Sequence, residues 1–125
     1  MRLLLDTHAL LWWLAGGQDL SPEARQAIAE GSTEVHVSAA TVWEIGIKQA
    51  RGKLRAPAGL LEEIERHRFR LLPIEGMHAL AAAGLPPVHH DPFDRMLVAQ
   101  ARVEGLQVVT RDPAIAAYGI PVLAA

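Results

Sequence analysis

The sequence predicts an α/β protein: a three-layer α/β/α sandwich around a small central parallel sheet. Short apolar runs that suit buried strands alternate along the chain with longer stretches of helical period. A parallel sheet covered by helices on both faces requires that alternation. Half of the 125 residues are apolar, which supports one hydrophobic core, and the chain is too short for two comfortable domains. We therefore expect a single domain over residues 1–125.

Five apolar runs are short enough to be strands. Each is separated from the next by a helical stretch or by turn residues, so the strands are expected to pair in parallel within one sheet. Their predicted positions are 2–5, 35–37, 70–73, 107–110 and 121–123.

The predicted helices fill the gaps, and residues of known positional preference mark their ends. Gly16, Gly52 and Gly105 follow helical stretches, as expected of a residue that tolerates positive φ. Ser21 precedes Pro22, which is the pattern of a helix cap followed by proline at the first helical position. The predicted helices cover 7–15, a segment that begins behind residue 21, and 38–51, 60–67, 77–83 and 92–104.

Composition excludes several classes of protein. The chain has no cysteine, so disulfides, zinc–thiolate sites, iron–sulfur clusters and thiol nucleophiles are excluded, and a cytoplasmic protein is expected. The apolar stretch at residues 3–5 is too short for a signal peptide or a membrane span, so no membrane association is predicted. The net charge of −2 does not indicate a general nucleic-acid binder, although basic residues gather at 48–55 and 66–70.

Two aspartates lie at the ends of predicted strands. Asp6 follows the first strand directly, and Asp112 follows the fourth one residue later. Each also fits a helix cap, because a short carboxylate accepts the free amide protons of a first helical turn. Pro113 strengthens that interpretation for Asp112. The C-terminal ends of parallel strands nonetheless share one edge of a sheet, where ligand sites form, so both interpretations stay open.

Two further acids lie in predicted helices. Glu44 has Lys48 one turn away, the spacing of an ordinary surface ion pair, yet the residues around Glu44 are mostly apolar and indicate a buried helix. In HHDPFDRMLVAQA, Asp91 fits the cap of the helix that begins at Pro92. Asp94 shares a face with the apolar residues of that helix, so we expect its carboxylate to turn inward, where it needs a partner.

The predicted topology brings these acids together. Asp6 and Asp112 end strands that a doubly wound sheet places near each other, and the helices of Glu44 and Asp94 start from the same edge. Neighbouring carboxylates repel by roughly 1 to 4 kcal/mol per pair at effective dielectric constants of about 80 to 20, so they must protonate or bind a cation. Because the donors are all oxygens, Mg²⁺ or Mn²⁺ is favoured over Zn²⁺.

The segments LLLDTHALLWWL, VSAATVWEIGIK, HHDPFDRMLVAQA and VVTRD follow one another along nearly the whole chain. Together they resemble the PIN-domain ribonucleases, and among these the VapC-like toxins of bacterial toxin–antitoxin modules. The resemblance implies a metal-dependent endoribonuclease with an RNA substrate and a cognate antitoxin. It also implies that one or two Mg²⁺ or Mn²⁺ ions are held by an acidic quartet, of which the last member is the most variable in the family: Asp6, Glu44, Asp94 and Asp112.

Other residues near the acids carry weaker indications. Thr7, Arg95 and Thr110 are predicted to contact phosphate because they lie close to the acids in the sequence. Trp12 and Trp13 lie in a helix that is apolar nearly all round, which either core packing or a homodimer or antitoxin surface explains. The paired histidines at 89–90 are interpreted as surface residues of a loop.

Two other α/β folds, one of an enzyme and one of a signalling domain, are excluded. One alternative to the nuclease function stays open. A haloacid-dehalogenase phosphatase needs a second aspartate where His8 stands, and a receiver domain needs an acidic pair after the first strand. The open alternative is a catalytically silent module that keeps the sheet and the helix caps and binds RNA or protein. Metal-dependent cleavage distinguishes an enzyme from such a module.

Overall fold

The five strands of the computed structural model form one parallel sheet, and residues 1–125 are all described. The order across the sheet is third, second, first, fourth, fifth, so the direction in which successive strands are added reverses between the first and the fourth. All strands end at the same edge, because every neighbouring pair is parallel. The strands are β1 (Arg2–Leu5), β2 (Glu34–Ser38), β3 (Arg70–Leu72), β4 (Gln107–Thr110) and β5 (Val122–Ala124).

Seven helices connect the strands and cover both faces of the sheet. None of them is long and apolar enough to cross a membrane. The helices are α1 (Thr7–Leu14), α2 (Pro22–Ala29), α3 (Ala39–Ala50), α4 (Leu60–Arg66), α5 (Gly76–Ala83), α6 (Pro92–Glu104) and α7 (Pro113–Ala116).

Strand β1 shows why helices are needed on both faces. Leu3 and Leu5 point to one face and pack with apolar residues of α1, α2 and α4, whereas Leu4 points to the other and packs with those of α6 and α7. All three leucines are fully buried. A strand buried on both faces is a continuous apolar run rather than an alternating one, as the sequence of β1 is. The predicted three-layer α/β/α sandwich is therefore confirmed.

The boundaries of the predicted elements agree with the structure to within one residue. Strand β2 is one residue longer at each end, because Glu34 pairs with Arg2 and Ser38 pairs with Leu72. Strand β5 begins one residue later than predicted. Pro121 has no N–H to donate, and only its carbonyl joins the ladder, accepting from the N–H of Val108.

One buried polar contact ties together the two helices that carry Glu44 and Asp94. Ser38 lies at the end of β2 and caps α3 by accepting the N–H of Ala40 at 3.0 Å. Its hydroxyl donates to Oε1 of Gln100 on α6 at 2.5 Å, and the amide of Gln100 donates to the carbonyl of Pro73 at 3.2 Å. Because both side chains are fully buried, this contact holds the start of α3 against the middle of α6.

Candidate active site

A cleft of about 400 Å³ opens at the C-terminal edge of the sheet. Asp6 follows β1 and Asp112 follows β4, so the cleft lies beside the point where the strand order reverses. Ligands bind at that point in open parallel sheets. The structure brings the four predicted acids into this one cleft, and the residues that line it are Asp6, Thr7, His8, Trp12, Glu44, Lys48, Asp91, Asp94, Arg111 and Asp112.

Asp6 and Asp112 each cap a helix and line the cleft at the same time. Oδ1 of Asp6 accepts the N–H of Ala9 at 2.8 Å, and Oδ1 of Asp112 accepts the N–H of Ala114 at 2.9 Å. Thr110 lies between the two acids: its oxygen accepts the N–H of Asp112 at 3.0 Å, and its side chain lowers the pKa of Asp6 against the larger effect of burial. Asp6 and Asp112 are therefore both helix caps and both residues of the cleft at the edge of the sheet. A role as ligands stays a prediction.

Glu44 is buried, and both of its carboxylate oxygens are engaged. The hydroxyl of Thr7 donates to Oε1 at 2.5 Å, and the ammonium of Lys48 donates to Oε2. The ion pair predicted from the helical spacing is confirmed, but its carboxylate is 5% exposed rather than solvated on a surface. The hydrogen bond with Glu44 raises the pKa of Lys48, so the ammonium stays charged beside the other acids.

Asp94 finds its inward partner in His89. Nε2 of His89 lies 2.8 Å from Oδ2 of Asp94 and 3.9 Å from Oδ2 of Asp112. Ligand atoms of these three side chains lie within 4.8 Å of one another. The interpretation of His89 as a surface loop residue is therefore wrong, whereas His90 beside it is exposed. The loop before α6 folds back over the first turn of the helix, a conformation that helical spacing does not predict.

Burial and mutual repulsion both disfavour the charged forms of two of the acids. Burial raises the pKa of Asp94 from 3.8 to about 6, and the negative charges of Asp91 and Glu44 add to the shift. Burial also raises the pKa of Asp6, with a smaller contribution from Asp112. These acids are therefore held where an added cation stabilises them.

Arg95, which the sequence predicts to contact phosphate, does not line the cleft. Its guanidinium lies outside the cleft and donates to the hydroxyl of Tyr118 and to four carbonyl oxygens at 2.9–3.2 Å, those of Ala82, Leu85, Pro86 and His89. Arg95 thus shapes the loop that carries His89. The hydroxyl of Thr7 donates to Glu44 and the oxygen of Thr110 accepts the N–H of Asp112, and contact of either residue with phosphate stays a prediction.

Sequence reasoning missed the wall of the cleft built by Trp12 and Arg111. The guanidinium of Arg111 lies over the ring of Trp12, 4.1 Å from its centroid, and the ring of His8 is 5.7 Å from that of Trp12. Arg111 also donates to the carbonyl oxygens of Asp19 and Ala125. The signal available in the sequence was the position of Arg111, at the end of a strand and directly before Asp112.

Core packing accounts for Trp13, the other tryptophan of α1. Its indole N–H donates to Nδ1 of His67 at 3.2 Å, and its ring lies 6.2 Å from that of Phe69. Both partners follow α4, so the chain itself partly covers the side of α1 that faces away from the sheet, where residues 11–14 stay half-buried. Packing within the chain thus explains Trp13, and a homodimer or antitoxin surface on this helix stays a prediction.

We predict that Arg95→Met lowers the free energy of unfolding by about 2 kcal/mol, because several carbonyl groups lose a charged donor that is partly buried. Urea unfolding followed by circular dichroism measures the loss. The matched control is Arg25→Met, since Arg25 is exposed on α2 and its side chain makes no hydrogen bond. Equal losses in the two variants would contradict the assigned role of Arg95.

We predict a pH-dependent gain in stability for Asp94→Asn in the presence of a chelator. A carboxyl whose pKa is higher in the folded than in the unfolded protein destabilises the fold as pH rises from 3.8 to about 6, and asparagine has no such charge. The difference in unfolding free energy between variant and parent should grow by about 1 to 2 kcal/mol across that window. Urea unfolding at several pH values measures it.

The control for this effect is Asp19→Asn, an exposed aspartate outside the cleft whose side chain has no hydrogen-bond partner. We expect its difference from the parent to stay flat over the same pH window. A flat difference for Asp94→Asn as well would show that the carboxylate of Asp94 is not held at a disadvantage in the folded protein.

Comparison with known proteins agrees with the geometry of the site. The profile of the PIN domain family matches residues 3–121. Ribonuclease VapC22 of Mycobacterium tuberculosis is 34% identical over 123 residues, which are 95% of this chain and 93% of that protein. Among solved structures, DNA-bound VapBC from Salmonella typhimurium has a TM-score of 0.72 at 20% identity and covers 98% of this chain and 97% of its own.

A second solved structure shares the fold: a toxin–antitoxin complex from Klebsiella pneumoniae, with a TM-score of 0.68 at 21% identity, over 98% of this chain and 96% of that one. The match of the family profile covers nearly the whole sequence, and the identity to the mycobacterial relative extends over the same length. The four motifs, the parallel sheet and the acidic cleft are thereby explained together: the chain belongs to the PIN-domain family and is similar within it to VapC-type ribonucleases.

Proposed function

We propose that the protein is a metal-dependent endoribonuclease that hydrolyses RNA phosphodiester bonds and acts as the toxin of a toxin–antitoxin pair. The observation that carries the proposal is the convergence of four carboxylates, each from a different segment of the chain, in one cleft of a PIN domain. Similarity to Ribonuclease VapC22 over nearly the whole chain supports ribonuclease activity.

The donor set of the cleft fits a hard divalent cation. Asp6 and Asp112 each use Oδ1 for a helix cap, which leaves Oδ2 of each without a backbone partner. Asp94 likewise keeps Oδ1 free, since His89 contacts Oδ2. Carboxylate oxygens without thiolate ligands suit Mg²⁺ or Mn²⁺. Burial raises the pKa of Asp6 and of Asp94, so a bound cation would stabilise their charged forms.

Asp6 and Asp94 are the principal ligands in this proposal, and Glu44 and Asp112 hold a second ion or orient water. A bound ion would lower the pKa of a coordinated water and stabilise charge on the phosphodiester during in-line attack. The protein's own contribution is to hold the oxygens in place. The N–H of Ala9 fixes Asp6, His89 fixes Asp94, and the donors on both sides of Glu44 keep that carboxylate in one orientation.

We predict that the purified protein cleaves single-stranded RNA with Mg²⁺ or Mn²⁺ and stops when a chelator is added. Asp6→Asn and Asp94→Asn should each lower kcat by at least about a hundredfold while the variants stay folded, because the charge that binds the ion is lost. Gel assays of a labelled RNA measure the rates. The control is Asp19→Asn, which should cleave at the parental rate.

Cleavage by Asp6→Asn and Asp94→Asn at the parental rate would assign the activity to another site or to a contaminant. No cleavage by the parent under any divalent ion would favour the catalytically silent module instead. The toxin role is tested in the same variants: expression of the parent should arrest growth, and expression of Asp94→Asn should not.

The proposal includes a homodimer and an antitoxin partner. Toxin–antitoxin complexes among the similar folds support the antitoxin. A contact surface is offered by α5 and the residue two before it, where apolar side chains are exposed without a partner: Ile74 by 40%, Met77 by 61% and Leu80 by 78%. Cytoplasmic location stays a prediction.

We predict that Leu80→Glu converts a dimer of the isolated protein into a monomer, because a buried interfacial charge without a partner is strongly unfavourable. Sedimentation equilibrium at several protein concentrations measures the change. Leu61→Glu is the control, since Leu61 is 53% exposed on α4, away from α5, and should leave the dimer intact. A dimer that survives Leu80→Glu would exclude α5 from the interface.

A further inference from the structure

The walls of the cleft carry two strong cations, whose charges are used differently. Lys48 forms an ion pair with Glu44, so a carboxylate of the site itself largely neutralises its charge. Arg111 forms no ion pair with any aspartate or glutamate of the chain, although it lines the same cleft directly beside Asp112. Arg111 is therefore the strong cation of the cleft that no side-chain carboxylate neutralises.

Three contacts hold the guanidinium of Arg111 in one place. Nε donates to the carbonyl of Ala125 at 2.9 Å, one Nη2 hydrogen is directed to the carbonyl of Asp19, and the guanidinium lies over the ring of Trp12. A guanidinium has five N–H groups, so three remain. Because the side chain is already oriented, a phosphate that accepts from the free N–H groups costs little side-chain entropy on binding.

An RNA strand bound in this cleft would need a cation that can contact its phosphates. Five carboxylates line the cleft, and they repel a polyanion wherever a metal ion does not neutralise them. We propose, on the basis of the proposed nuclease function, that Arg111 binds a backbone phosphate of a single RNA strand next to the phosphate that is cut, and that Trp12 positions the guanidinium for this contact. Arg111 thus replaces Arg95 as the phosphate-binding arginine.

Arg111 also joins the segment around Asp19 to Ala125 by hydrogen bonds. The test must therefore separate a phosphate contact from a structural role. Salt dependence does so. Each phosphate contact to a single strand steepens the fall of log K with log salt by about 0.7, whereas a lost structural contact weakens binding without changing that slope. The readout is therefore the slope and not the affinity alone.

The experiment uses Asp94→Asn as the parent, so that a fluorescein-labelled single-stranded RNA is bound without being cut. Fluorescence anisotropy gives Kd over a series of KCl concentrations. In this background Arg111→Met should raise Kd about tenfold at low salt and lower the slope by about 0.7. Arg111→Gln is the second variant, since its amide can still donate to Ala125, and it should lower the slope equally.

The matched control is Arg102→Met. Arg102 is an exposed arginine that also donates to a carbonyl, that of Tyr118 at 2.8 Å, but it lies near the end of α6 and does not line the cleft. Its slope should equal that of the parent. Slopes unchanged in both Arg111 variants would overturn the proposal and leave Arg111 with a structural role. A parent that binds no RNA at any salt concentration would overturn this proposal. The nuclease function is overturned separately, by an unmodified protein that cleaves no RNA with any divalent ion.

The role of Trp12 has its own signature. Trp12→Leu removes the ring beneath the guanidinium but not the charge, so Kd should rise severalfold while the slope stays parental. Trp12→Phe keeps an aromatic face and should restore most of the affinity. Trp43→Leu controls for the loss of an exposed tryptophan elsewhere and should leave Kd unchanged. Equal affinities of the Leu and Phe variants at position 12 would show that Trp12 does not position Arg111.

Discussion

The rest of the site depends on keeping several carboxylates together against their mutual repulsion. Three of the five acids in the cleft are helix N-caps, those of α1, α6 and α7, so each accepts backbone N–H groups at the positive end of a helix. A helix terminus stabilises an anion by typically 0.3–1 kcal/mol, which is less than the roughly 1 to 4 kcal/mol of repulsion between one pair of neighbouring acids. The caps therefore lower the cost of the cluster without removing it, and the remaining repulsion would favour the cation binding that we propose.

Hydrogen bonds outside the cleft hold the acidic residues in place. The hydrogen bond between Ser38 and Gln100 fixes α3 against α6, and thus Glu44 relative to Asp94. Arg95 fixes the loop that delivers His89 to Asp94. A metal site depends on such supports, because ligands that relax apart when the ion leaves lose affinity for it. These contacts lie outside the cleft, so their effect on function is exerted only through the acids.

The sequence predicted the structure best where neighbouring residues determine a strand or a helix end. It predicted least where side-chain contacts depend on the path of a loop. Strand β1 and helix α6 were predicted to the residue, because a strand buried on both faces is uniformly apolar and a cap followed by proline marks a helix start. The acids came from sheet topology and from the order of the motifs. His89 was misassigned and Arg111 was missed, since their partners depend on loop paths, and one partner of Arg111 lies 92 residues away. For Arg95, proximity in sequence to an acid was a poor guide to the direction of its side chain.

In this fold one aspartate can cap a helix and also serve as a metal ligand, as we propose for Asp6 and Asp112. In a parallel sheet the chain leaves the end of a strand and enters a helix within one or two residues, so the position that caps the helix is also the position at the ligand-binding edge. A cap needs one carboxylate oxygen, and Asp6 and Asp112 each use only Oδ1 for it. The second oxygen of each remains for an ion. An aspartate that follows an apolar strand and precedes a helix is thus fixed in orientation by its cap, and that orientation is what a ligand requires.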